Sequence, residues 1–237
     1  MLLSGVSPIF HIVGKEVPMG FAELIQQFGQ DYLIALLSTW VMTAVAFAVA
    51  MVVAILITVM RVSPIKPLRF VGDLYVQVFR NIPGVALLII TVYALPFLDV
   101  VMPYRLCLMV TVILLSSAFG SENFMTGVNT IGVGQIEAAR SIGLSFPQIL
   151  RLIVIPQALR SAVLPMTNLL IATLLTTALG SQVALVPPEL TGMVKYVNSR
   201  SVAGIAAFVV SAIGYAGTAL VIGWAGNRLD KKVRILR

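Results

Sequence analysis

Arg80 and Glu122 each lie inside a stretch that is otherwise apolar. Amides and hydroxyls surround them. Asn81 follows the arginine, and Ser116, Ser117, Ser121 and Asn123 flank the glutamate. Asn168, Thr173, Thr176 and Thr177 stand farther along in another apolar run. Charged and polar groups in apolar spans face protein or water rather than lipid: either they mark a path for polar solutes, or they are structural, held against backbone carbonyls or a carboxylate of a neighbouring helix. The parts for bond chemistry are absent. The one histidine, His11, lies near the start, and the one cysteine, Cys107, lies in an apolar run. That cysteine has no partner for an intrachain disulfide and reads as core packing. No Ser–His or Cys–His pair falls in the apolar body, and no His/Cys cluster could hold a metal. No G-x-x-x-x-G-K-[ST] string exists to hold ATP. No catalytic residue and no metal ligand is expected.

The elements that must position these residues are set by composition. The chain of 237 residues is 59% hydrophobic and 11% charged, with mean hydropathy +1.02. A soluble domain carries about 25% charged residues. The expectation is an all-α membrane protein with five transmembrane helices, N-terminus outside and C-terminus inside. Residues 1–30 read as an extracytoplasmic tail. Its start lacks the basic residues and cleavage pattern of a signal peptide. Phe21, Leu24, Ile25 and Phe28 predict a short interfacial helix on the outer surface. Residues 31–228 form the transmembrane domain and 229–237 a basic cytoplasmic tail, which reads as an anchor to anionic lipid.

The spans are expected at about 32–60, 70–95, 104–126, from Pro156 to Pro187, and 202–224. Arg61 to Arg69 reads as a short basic cytoplasmic loop between the first two. Ala46, Ala50 and Ala54, and again Ala203, Ala207 and Ser211, make small-residue faces for close helix contact. Pro83 predicts a kink in the second span, and Pro165 one in the fourth. Glu122 is expected to pair with Arg80 across helices, because each alone is an unpaired intramembrane charge. Eleven of the sixteen Lys and Arg fall in the proposed inner segments, four in the outer ones, and Arg80 within a span. That asymmetry fixes the orientation and accounts for the net +7 without nucleic acid. Glu189, Lys195, Tyr196 and Asn198 lie in the last outer loop. Either they contact a soluble partner or they are simply solvated.

A polar insert over about 127–152 interrupts the apolar pattern. It carries Glu137-Ala138-Ala139, then Arg140, then Gly143, then Ile153-Val154-Ile155-Pro156. Ala138 and Ala139 favour helix. Glu137 is read in the first turn, facing the positive end of the helix dipole, with Arg140 in reach for an ion pair. Gly143 suits a left-handed stop, and Ser145 with Gln148 forms a capping box for a second helix with Pro147 in its first turn.

This string resembles the cytoplasmic coupling loop of the permease subunits of bacterial ABC importers, with Ile155 where that family usually has Leu. Within the family, Met60-Arg61-Val62-Ser63-Pro64 and Gly134 to Leu144 are similar to the polar amino acid branch and its actinobacterial glutamate-uptake permeases. Arg80 and Pro83 match the branch's Arg-Gly-Thr-Pro segment, while Asn81 and Ile82 depart from it. Glu122 matches an acidic position whose usual basic neighbour is here Met125. Asn168 and Ile171 are kept in the fourth span, but the family's Lys-Asp pair is absent.

The resemblance implies a type I ABC importer permease fold in a bacterial plasma membrane. It implies coupling to ATPases through Glu137, Ala138, Ala139, Arg140 and Gly143. Arg80, Asn81, Glu122, Asn123, Asn168, Thr173 and Thr176 become candidates for the translocation path. The implied partners are an ATPase dimer holding ATP and Mg, a second permease in a heterodimer, an extracytoplasmic solute-binding protein, and a polar amino acid. Glutamate is the first substrate, with glutamine or a basic amino acid as alternatives. An ion-coupled secondary transporter, or a structural subunit that conducts nothing, are the readings from other classes.

Overall fold

The computed structural model describes residues 19–201 and 203–233. The expectations for the first eighteen residues, His11 among them, and for the last four residues lie outside that range. The described residues form ten α-helices and no strand. The long ones are α1 (Phe21–Val62), α4 (Tyr104–Val128), α8 (Val163–Thr176, continued as a 3-10 turn to Gln182) and α10 (Gly204–Val233). All four are long and apolar enough to cross a bilayer.

The chain does not divide between an interfacial helix and a first span. Residues 21–62 are one helix of 42 residues, about 63 Å at 1.5 Å per residue and roughly twice the hydrocarbon thickness. No Gly-Pro break separates Gln30 from Tyr32, so the helix propagates. The apolar residues expected to lie on lipid split into two sets. Leu24 and Phe28 are buried in a cluster with Leu174, Leu190, Met193 and Val197, while Phe21 and Ile25 stay exposed.

The second span is broken rather than kinked. Helix α2 (Lys66–Asn81) ends at Ile82, and α3 (Gly84–Ile89) starts after Pro83, continuing through a π turn and a 3-10 turn to Leu98. The two halves meet at 101°. Pro83 lacks the N–H that would bond Phe79, and it drives Ile82 into extended backbone, ψ 130°. The broken pair still crosses. Helix α1 ends, α2 begins and α4 ends at one end of the molecule, where Thr58, Val62, Phe124 and Val128 line one crevice. Helix α4 begins at the other end, where Arg105 donates to Ser38 Oγ and the Pro187 carbonyl. With the broken pair counted as one crossing, the described residues hold five candidate membrane spans.

Small residues set the helix spacing. Ala46, Ala50 and Ala54 are buried, and a Cβ on Gly120 of α4 would come within 2.9 Å of the Ala54 methyl. Ala203, Ala207 and Ser211 are buried as well. The fourth span is articulated twice. A π turn (Leu150–Val154) precedes α7 (Ile155–Ser161), whose second residue is Pro156, and the helix breaks at Ala162 before α8. Pro165 has no N–H for the Ser161 carbonyl, which accounts for that break. The span ends at Gln182, five residues before the Pro187-Pro188 expected to end it.

The last outer segment is not a solvated loop. Residues Leu190–Asn198 form α9, with Leu190, Met193 and Val197 buried. Glu189 is its N-cap and is wholly buried. Its carboxylate accepts the Thr191 and Gly192 N–H groups at 2.5 and 2.6 Å and the Tyr215 hydroxyl at 2.8 Å.

Candidate functional site: a coupling knuckle and a polar cleft

The polar insert folds as a knuckle between α4 and α7. Helix α5 runs Val133–Ser141 with Gly132 as N-cap. Glu137 is thus its fifth residue, one turn later than the sequence suggests, and gains little from the helix dipole. Glu137 and Arg140 are both exposed and form no ion pair among the described residues. The stop is as expected from the glycine. Gly143 sits at φ +84°. Its N–H bonds the Arg140 carbonyl at 2.9 Å, and the Leu144 N–H reaches back to Ala139 at 3.1 Å. That pair of bonds is a Schellman motif, and Leu144 and Ala139 share its apolar contact. Gln148 Oε1 then accepts the Ser145 N–H at 2.8 Å and opens α6 (Phe146–Ile149).

The knuckle has its own small core of Ala139, Ile149 and Val154, with Ile131, Ile136 and Leu144 against it. Gln157 of α7 donates to Gln135 of α5 at 2.9 Å. Gly127 of α4 lies so close to α7 that a Cβ there would come within 2.7 Å of the Ala158 carbonyl oxygen. The knuckle is therefore fixed to two membrane helices. Its outer face leaves Val133 71% and Ile142 78% exposed beside Glu137, Ala138 and Arg140.

The second feature is a cleft of about 1020 Å³. Arg80, Asn123, Asn168, Thr173 and Thr176 all line it, with Ser116, Phe119 and Gln182. Asn81 and Glu122 do not. Asn81 turns back on α2, its amide donating to the Gln77 carbonyl at 2.6 Å. Thr173 and Thr176 donate to the Leu169 and Ala172 carbonyls of their own helix, and Thr173 is buried. Ser116 meets Thr173 at 2.9 Å, and Asn123 donates to the Pro165 carbonyl at 3.1 Å. The polar stripe of α4 therefore joins helices as well as lining the cleft. Ser117 meets the Tyr75 hydroxyl at 2.7 Å and Ser121 meets Thr58 at 3.1 Å.

Behind the cleft lies a charge network larger than the pair expected from the sequence. Arg80 Nη1 is 3.1 Å from Glu122 Oε1, and the Arg80 guanidinium lies 5.7 Å from the Phe119 ring centre. The same carboxylate oxygen meets Arg61 Nη2 at 3.0 Å, and Arg61 Nε meets Asp73 at 2.9 Å. Arg61 is not the loop residue that its surroundings in the sequence suggest. It ends α1 and points inward, its side chain 11% exposed against 39% for Arg80. It supplies the basic partner that Met125 does not.

A five-pass helical chain with an articulated knuckle at one end and a polar cleft inside is a membrane transport subunit in architecture. Residues 58–235 match the family described as binding-protein-dependent transport system inner membrane component, and the chain belongs to that family. It is 31% identical over 199 residues to the glutamate transport system permease protein GluC of Corynebacterium efficiens, covering 78% of this chain and 86% of that one. It is 34% identical over 158 residues to the probable glutamine ABC transporter permease protein GlnP of Bacillus subtilis, covering 65% and 72%. The fold matches a crystal structure of an amino acid ABC transporter with histidines at TM-score 0.80 and 22% identity, over 91% of this chain and all of the other. It also matches an inward-facing MetNI methionine ABC transporter at 0.74 and 22% identity, over 89% of this chain and 99% of the other. The chain is an inner-membrane permease with the type I importer fold, and it is not itself an enzyme.

Proposed function

We propose that this chain is one permease of an ATP-driven importer for a polar amino acid, with glutamate as first substrate. The observation that carries this reading is the knuckle. Val133 and Ile142 stay uncovered on a polar protrusion, and the protrusion is fixed to α4 and α7. An apolar patch ringed by polar residues is a docking surface. Its occupant is an ATPase subunit holding ATP and Mg. A second permease completes the pore as a heterodimer, and an extracytoplasmic binding protein delivers the solute. ATP binding draws the ATPases and knuckles together and turns the cleft outward. Hydrolysis resets it.

Glutamate is supported by the similarity to GluC; the cleft's arginine complements an anionic solute, but the polar amino acid branch shares it, so it does not set specificity alone. Arg80 is the one charged side chain among its described lining residues. The test is ATP-dependent uptake into proteoliposomes holding the co-purified complex and binding protein. Labelled glutamate is expected to enter, with glutamine and cystine as poor competitors. Entry of glutamine or cystine with exclusion of glutamate would refute the substrate and leave the importer reading standing.

A further inference from the structure

The charge network is asymmetric in a way that bears on the cleft. Glu122 Oε1 is shared by two guanidiniums at nearly equal distance. Arg61 is the fixed one. It is held by Asp73, by Glu122 and by the Ser121 hydroxyl at 3.2 Å, and little of it is exposed. Arg80 is the loose one. Glu122 is its only carboxylate among the described residues, its guanidinium lies 5.7 Å from the Phe119 ring centre, and it lines the cleft. If Arg80 lets go, Glu122 still has Arg61 at 3.0 Å, so its carboxylate is not left without a cation.

We infer that Glu122 is a shared counter-ion that lets Arg80 pass from Glu122 to the carboxylate of a solute carrying one net negative charge, while Arg61 holds Glu122 in place. Among the described residues no acidic side chain lines the cleft, so a net charge of −1 complements Arg80 better than a neutral zwitterion does. Asn168 is exposed into the same space and its side chain makes no bond among the described residues, leaving its amide free for the same solute. Arg80 is the contacting residue, and Arg61 and Glu122 are positioning residues. The inference rests on the acidic amino acid reading above.

The test is equilibrium binding of labelled glutamate to the permease–ATPase complex in nanodiscs, without the binding protein, with glutamine as the neutral isostere. Arg80→Gln abolishes glutamate binding. Arg61→Gln leaves Glu122 to Arg80 alone and weakens it about tenfold, the scale of one charge-assisted hydrogen bond. Arg61→Lys keeps the charge and restores most of it. Glu122→Gln frees Arg80 and tightens glutamate binding, a change that a folding defect cannot imitate. Glutamine binding moves little in all of them. Equal changes for both solutes, or weakening by both Arg61→Gln and Glu122→Gln, would overturn the hand-over. A wild-type complex that imports glutamate yet does not bind it would overturn it too and leave the function standing. A complex that imports no acidic amino acid would instead overturn the substrate reading and the hand-over with it.

Discussion

Arg61 Nη2 and Arg80 Nη1 lie 3.0 and 3.1 Å from one oxygen of Glu122, so a pairing that the sequence presents as two residues is a matter of three. This changes the outcome of a charge exchange. With Arg80→Glu and Glu122→Arg made together, the new arginine faces Arg61 at the old carboxylate position. The double variant is therefore expected to assemble no better than the worse single variant. Assembly measured by size-exclusion of the complex decides it, and full restoration would mean that Arg61 takes no part.

Gly143 and Gly132 form a matched pair of positions in the knuckle. A Cβ added to either would have no neighbour within 4 Å, but only Gly143 has a left-handed φ, +84° against −61° for Gly132. Gly143→Ala is expected to cost about 1 kcal/mol from backbone strain alone, and to slow uptake by loosening the α5 stop. Gly132→Ala is expected to be near neutral. Thermal melting and uptake rates of the two variants check this.

Gly127 is constrained by space instead. A methyl there meets backbone atoms of Ala158, which cannot rotate away. Gly127→Ala is expected to separate α4 from α7 and to destabilise by about 1–3 kcal/mol, whereas Gly217→Ala, with open space around it, is expected to have little effect. Melting temperatures in detergent separate the two.

Glu189 adds a pH dependence. It lies between the fourth and fifth membrane helices, and burial pushes its carboxyl above the usual range, although its hydrogen bonds to Tyr215, Thr191 and Gly192 oppose the shift. An acid whose folded pKa is raised binds its proton more tightly when folded. Its contribution is full below the unfolded pKa and is lost as pH rises through the folded one. Glu189→Gln removes this titration while keeping an acceptor for the helix N-cap. The wild type's melting temperature is expected to fall more steeply above the ordinary carboxylate range than the variant's, measured in parallel across pH.

Much of this architecture can be read from local chemistry. The spans follow from hydropathy, and the knuckle's stop follows from a glycine that alone tolerates its φ. The small-residue faces follow from the four-residue spacing of Ala46, Ala50 and Ala54. What escaped depends on distant parts of the chain. Arg61 looks like a loop residue because Ser63 and Pro64 follow it, and only the folded chain brings Asp73 and Glu122 to it. The 101° break at Pro83 exceeds an ordinary proline kink because Ile82 and Pro83 both leave the helical region. Glu189 did carry a local signal. An acid directly before an apolar run at 190, 193 and 197 is a helix start.

The central claim is that the knuckle couples this permease to an ATPase. The most direct measurement is a mild-detergent pull-down of the wild-type chain and of Glu137→Lys from the native membrane, with mass spectrometry of the intact complexes. The wild type is expected to bring an ATPase pair and a second permease, and Glu137→Lys to keep the second permease and lose the ATPases. A wild-type complex without any ATPase would contradict the claim and favour an ion-coupled carrier or a structural subunit.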